Sequence, residues 1–221
     1  MRATPILASA VAILLVALAG PRLFAGAITA PFDDTVHALG RGDAIPDEAL
    51  RLALGSRLRA TALIGDGRYH ADVAALRYAD YVKNPDARER LDRVIAAHHD
   101  ALEHAPSQPF VWSRLALAEM LRHGYSDTVG NALNLSLETG RYEPRLLMPR
   151  IELALAVWPL LPETLQREFA RQMVLAMHWA PAALVDATRH YHRLAEVRAA
   201  LTVDREQRAR FNFLYERRRL G

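Results

Sequence analysis

No cysteine occurs among the 221 residues of this chain. Disulfides, thiolate–zinc centres, iron–sulfur clusters and thiol nucleophiles are therefore excluded together. Lysine is almost absent too: Lys83 is the only one, and the rest of the basic complement is arginine. The net charge of +3 is modest, and no basic stripe or recognisable module argues for a nucleic-acid partner. Aromatics are few, at 7%, while hydrophobic residues reach 51%. Alanine and leucine supply most of these and β-branched residues are sparse, which favours close helix packing over sheets. No nucleophile elbow, phosphate-binding loop or dinucleotide fingerprint is present. The chain is long enough for one compact domain or a short repeat array with a sizeable core.

Charge is also missing from Ala3 to Gly20, and Ile6 to Ala19 is continuously apolar or small. About 20 residues span a bilayer as a helix, and a secretory core needs only about 7–15. Residues 1–30 are thus either a signal peptide or a transmembrane anchor. Ala17-Leu18-Ala19 offers small residues where a signal peptidase reads, yet apolar residues resume after Arg22 as Leu23 to Ile28. Arg2 gives a weak positive-inside signal, partly opposed by Arg22. The expected location is the inner membrane with a periplasm-facing body, or the periplasm if the segment is cleaved. Pro31, Asp33-Asp34, Gly40, Gly42 and Asp43 then read as a linker over 31–46.

From residue 47 to 221 the pattern is helical. Asp47-Glu48 opens a helix with acids where the dipole favours them, and Gly65-Asp66-Gly67 stops it. Pro106, Pro144 and Pro181 recur at spacings of 38 and 37 residues. Nine residues after the first two comes the same tetrapeptide, Leu115-Ala116-Leu117-Ala118 and Leu153-Ala154-Leu155-Ala156. Such a period marks a helical repeat. One unit reads as a hairpin: a helix over Pro109–His123, a turn at Gly124 to Asp127 with Asp127 as cap, and a second helix over Thr128–Glu138 ending at Gly140. Neighbouring units break at Asn84-Pro85-Asp86 and near Thr202-Val203-Asp204.

The stretch from Asp100 to Glu119 resembles the join between two tetratricopeptide repeats. Pro106 stands where that family ends its second helix, and Trp112, Leu115 and Ala116 match the aromatic, Leu and small positions of the next first helix. Arg150 departs from the pattern at the place equivalent to Trp112, and the period exceeds the usual 34. The resemblance implies an all-α fold of stacked antiparallel helical hairpins, a superhelix preceded by one N-terminal apolar helix. More loosely, the apolar N-terminus with Trp112–Glu119 and Leu137 to Glu152 is similar to membrane-tethered tetratricopeptide proteins of bacterial exopolysaccharide loci.

Stacked hairpins bury their apolar faces on each other and leave a concave surface that takes up a partner. With Trp112 and Leu115 in the core, Phe110, Ser113, Leu117 and Met120 lean to the concave side. Met148, Ile151, Leu155 and Trp158 do so in the next unit, giving a candidate partner-binding groove; packing between repeats accounts for the same stripe.

Other candidates for chemistry are thin. His99 and Glu103 stand at i, i+4, a possible two-ligand metal pair, but catalytic zinc needs three protein ligands. His190 and His192 diverge on a helix. Glu119 and Glu152 lie near apolar faces beside Arg114 and Arg150, where ion pairing explains them. From Arg205 to Arg219, arginines interleave with Phe211, Phe213 and Tyr215, either a solubilising cap or a contact for acidic lipid or polymer. The expectation is a non-catalytic scaffold or adaptor without cofactor or metal, binding envelope protein partners. The alternatives are a glycan-acting enzyme on a helical array and a periplasmic assembly chaperone.

Overall fold

The computed structural model describes residues 3–85 and 88–218, with side chains from residue 13 onward. Among these residues there is no strand, and three short 3-10 turns punctuate the helices. The helices are α1 (Ala3–Thr29), α2 (Asp33–Arg41), α3 (Asp47–Leu63), α4 (Gly67–Lys83), α5 (Arg88–His104) and α6 (Pro109–His123), followed by α7 (Asp127–Gly140), α8 (Pro144–Ala156), α9 (Glu163–Trp179), α10 (Pro181–His190), α11 (Leu194–Ala200) and α12 (Arg205–Arg217). The all-α expectation holds. Two compact units part between Val111 and Trp112, where one body over 47–221 was expected, and the first unit takes in α1 and α2.

In the first unit, α1 is long and apolar enough to cross a membrane or to serve as a signal sequence. Leu14, Leu15, Val16, Leu18, Leu23 and Phe24 are exposed along it, whereas Ala25 and Thr29 near its end are buried. That end docks on α3: Ser56 Oγ donates to the Ile28 carbonyl at 3.0 Å and the Arg57 guanidinium to the Thr29 carbonyl at 3.0 Å.

Much of the stretch read as a linker is helical instead. Asp33 and Asp34 occupy the first turn of α2, where acids suit the dipole, and Gly42 stops it at φ +83°, a conformation glycine adopts without strain. Phe32, Val36 and Leu39 pack against Ile45, Leu50, Ala53 and Leu76, so the punctuation residues bracket a short amphipathic helix rather than a loose connection.

Helices α3, α4 and α5 run antiparallel in succession. Arg57 meets Asp72 at 2.9 Å, and the sole lysine, Lys83 at the end of α4, meets Asp47 at the start of α3 at 2.5 Å. Arg90 and Asp80 tie the other hairpin at 3.2 Å near its turn, and His70 and Asp100 tie it at the open end. Of the expected break at Asn84-Pro85-Asp86, α4 does end at Lys83, while Asp86 lies outside the described residues.

In the second unit, α9 packs against α8, α10, α11 and α12. Its Phe169, Met173, Ala176 and Met177 are wholly buried. The α6 boundaries match the expected helix, while α7 starts one residue early: Ser126 stands at the cap position, and Asp127 is an acid of the first turn. Pro144 and Pro181 each open a helix, where a missing N–H costs nothing. Pro106 lies in the connection before α6, which Pro109 opens.

Candidate functional site

The densest group of chemistry-bearing side chains in the first unit lies at the open end of the α4–α5 hairpin. His70, in the first turn of α4, is buried, and its Nδ1 stands 2.5 Å from the Asp100 carboxylate. Asp100 and His104 are one turn apart on α5 and so share a face. The His104 ring lies flat on that of His70, centroids 3.7 Å apart and planes 8° from parallel. Its own Nδ1 reaches the Asp100 carbonyl at 2.9 Å. Each Nδ1 thus faces an oxygen acceptor, which places the proton there and leaves the lone pair of the neutral ring on Nε2. The Nε2 of His70 is buried and has no hydrogen-bond partner among the described residues.

The backbone holds this arrangement closely. Asp66 caps α4 by accepting from the Arg68 amide at 2.9 Å. The turn before α4 lies on the last turn of α5, and a Cβ at Gly67 would come 2.6 Å from the Ala105 Cβ and 2.8 Å from the His104 carbonyl oxygen. Only glycine admits that approach.

The His99–Glu103 pair weighed from the sequence is not what assembles here. Asp100 and His104 do so, joined by His70 from 30 residues upstream. A signal for it existed: the break at Asn84-Pro85 falls midway between 70 and 100, so an antiparallel hairpin brings those two positions level.

In the second unit, the residues expected to line a groove divide by burial. Ser113, Ile151 and Leu155 are buried, the last two wholly, so they are interior rather than lining. Leu117, Met120, Met148 and Trp158 are half-buried and rest on the same core, as does Trp112. Phe110, at the start of α6, is half-buried and falls on the first unit's side of the division. The tetrapeptides explain the burial: Leu115, Ala116 and Ala118, and Leu153, Ala154 and Leu155, are core, because close helix approach needs the alanines.

Arg150 has a structural reason for breaking the repeat pattern. It is wholly buried, and its guanidinium donates to Ser136 Oγ at 2.9 Å, the Gly140 carbonyl at 2.9 Å and the Ser136 carbonyl. It thereby adds a donor to two carbonyls of the last turns of α7, of which that of Gly140 also accepts from the Glu143 amide at 3.2 Å. Burial pulls its pKa down to about 10, with Glu143 acting in the opposite direction. Glu152 is exposed and its expected pairing with Arg150 is not what occupies that guanidinium. Glu119 faces His123 one turn on, at 3.8 Å.

At the C-terminus, Phe211 is wholly buried and Leu214 and Tyr215 pack on the same core, so α12 closes the second unit. Phe213 is exposed with Arg217 over its ring at 5.5 Å, while Arg189 lies over Tyr215 at 5.2 Å. Arg219 lies outside the described residues. An open cleft of about 550 Å³ runs between α7 and the start of α9, edged by Tyr125, Asp127, Asn131, Asn134 and Thr164. Burial, reinforced by the Asp127 charge, raises the Tyr125 phenol, so it stays a neutral donor.

No family model, no curated protein and no solved structure matches this chain.

Proposed function

We propose that the chain is a membrane-anchored scaffold of tetratricopeptide type, which holds protein partners of the cell envelope, with exopolysaccharide synthesis or export as the pathway it serves. The observation that carries this reading is the way α1 joins the body. Its apolar side chains stand exposed from Ile13 to Phe24, and its end is stitched into α3 by Ser56 and the buried Arg57. A helix cleaved away on export has no use for such a seam, so the seam favours an anchor retained as part of the fold. The body then faces the periplasm, as the expected orientation of the N-terminus has it.

Partner binding falls to the half-buried apolar residues of the second unit, Leu117, Met120, Met148 and Trp158, with Trp112 beside them. Side chains of this kind sit firmly on a core yet offer apolar area to a visitor, the condition for a docking face that stays soluble alone.

Crosslinking in membranes followed by purification of a C-terminally tagged copy tests the reading. Recovery of glycosyltransferase or export components supports it, with the yield falling in a Leu117→Glu, Trp158→Glu double variant. Recovery of none removes the polysaccharide assignment. Protection of the body from protease in opened spheroplasts removes the periplasmic orientation.

A further inference from the structure

We propose that the cleft between α7 and the start of α9 binds an uncharged carbohydrate, a short stretch of a glycan chain. All of its lining belongs to the second unit, so the site is complete within one compact body. Its volume of about 550 Å³ falls within the size of small-molecule sites. The inference goes beyond the scaffold reading and does not rest on it, since that reading uses a different set of side chains.

Three observations select this class of ligand. The first is the donor and acceptor set. Asp127, Asn131 and Asn134 recur at i, i+4 and i+7 along α7, so one face of the helix turns a carboxylate and two amides to the cleft. Carboxylates and amides suit neighbouring hydroxyls, because each offers two polar atoms side by side. The Asn134 amide nitrogen donates to the Glu138 carboxylate at 2.7 Å, which leaves its oxygen as the acceptor. Asn131 and Thr164 make no side-chain hydrogen bond to another described residue. The second observation is charge. Among the described lining residues there is one acid and no base, which disfavours phosphate, sulfate or an acidic sugar. The third is the apolar part of the lining. Pro162, Leu165 and the Tyr125 ring give surfaces for the C–H faces of a pyranose, whose hydroxyls stand at its edge.

Gly130 ties these features together. Glycine inside a helix costs stability, and this one is buried in α7. A Cβ there would come 3.1 Å from the Tyr125 hydroxyl and 3.8 Å from a Leu165 methyl. The missing side chain therefore lets the phenol lie against α7 within the cleft. Burial and the Asp127 charge hold that phenol protonated, so it remains a donor for a ligand hydroxyl.

The full-length chain, held in a detergent without a sugar headgroup, is titrated with maltotetraose, cellotetraose and chitotetraose, and separately with a glycine–serine octapeptide. The expected result is saturable binding of at least one saccharide, with one site per chain. In ¹⁵N spectra the side-chain amides of Asn131 and Asn134 shift during that titration. Asn131→Ala, at an exposed position, and Tyr125→Phe, which keeps the ring, each weaken binding by roughly 3–10-fold, as the loss of one neutral hydrogen bond does. Gly130→Ala weakens it while helical content is unchanged, and Asn84→Ala in the first unit leaves it as it was. No saturable binding of any of the three saccharides overturns the proposal. So do binding indifferent to the Asn131 and Tyr125 changes, shifts confined to residues away from α7, and capture of the peptide in place of the saccharides.

Discussion

The guanidinium of Arg57 in α3 and the carboxylate of Asp72 in α4 meet at 2.9 Å, with the arginine side chain wholly buried. The same guanidinium holds the Asp33 carboxylate of α2 at 2.5 Å and the Thr29 carbonyl at the end of α1. One side chain thereby ties four consecutive helices, and the attitude of the apolar N-terminal helix to the body depends on it.

Removing that tie is expected to be expensive. Arg57→Ala strands a mostly buried Asp72 and the Thr29 carbonyl, at a cost of about 3–5 kcal/mol. Asp33→Ala, at the more exposed end of the network, costs far less. Denaturant unfolding of the three proteins in detergent measures both; equal losses would show that the network is not centred on Arg57.

Asp72 carries a pH signature of unusual sign. Burial raises its carboxyl above the ordinary 3.8, outweighing the opposing hydrogen bond from Arg57. The folded state therefore holds this proton more tightly than the unfolded chain does. Its contribution to stability is full below the unfolded value and is lost as pH rises through the folded one. Subtracting the stability–pH curve of Asp72→Asn from that of the unmodified protein should leave a difference that declines across this window. A difference that climbs with pH would mean that Arg57 dominates burial.

Gly65 and Gly67 flank one turn but should respond differently. A methyl at Gly67 meets the Ala105 Cβ and the His104 carbonyl well inside contact distance, while one at Gly65 reaches only the His104 ring, at 3.4 Å. Gly67→Ala is expected to cost about 1–3 kcal/mol, as overpacked sites do. Gly65→Ala should be close to neutral. Thermal unfolding distinguishes them, and equal melting temperatures would refute the close approach.

Arg150 should behave as a helix cap rather than as a surface charge. Arg150→Ala removes three buried hydrogen bonds, to Ser136 Oγ and the Ser136 and Gly140 carbonyls, and empties the space its side chain fills, a loss of about 3 kcal/mol. Arg150→Lys recovers little, since one ammonium does not span the positions that the guanidinium fork reaches. Arg167→Ala, an exposed one-turn pair with Glu163, stays within about 0.5 kcal/mol. The lowered pKa of Arg150 adds a check: from about 10 up to the ordinary guanidinium range the unfolded chain holds more protons, so stability gained from this group rises with pH.

Much of the fold was legible before any coordinates. Helix α6 begins and ends where Pro109 and His123 place it, because proline suits the first turn and Gly124 the left-handed stop at φ +79°. The break at Gly65-Asp66-Gly67 was visible from its glycines, and the one expected near Thr202-Val203-Asp204 falls at the 3-10 turn Leu201–Val203, with Asp204 capping α12. The region 31–46 misled because Asp, Gly and Pro mark helix ends as well as loops, and only packing of Val36 and Leu39 onto α3 and α4 selects the helix.

The sites were less legible than the helices. Apolar period alone does not separate an interior stripe from a lining one, so Ile151 and Leu155 were grouped with Leu117 and Met120 although they are buried. Arg150 read as a flaw in a repeat, yet it completes the end of α7.

The sequence by itself determined the helical class, most helix boundaries and the apolar length of α1, since these follow from propensity, caps and local periodicity. Tertiary structure alone decided which side chains meet. His70 stands beside Asp100 and His104, and Arg57 beside Asp33 and Asp72, because antiparallel packing levels residues far apart in the chain. Burial then decides what those meetings do: it strips water from the Arg57 guanidinium and the His70 nitrogen, and makes each dependent on the partner it is given.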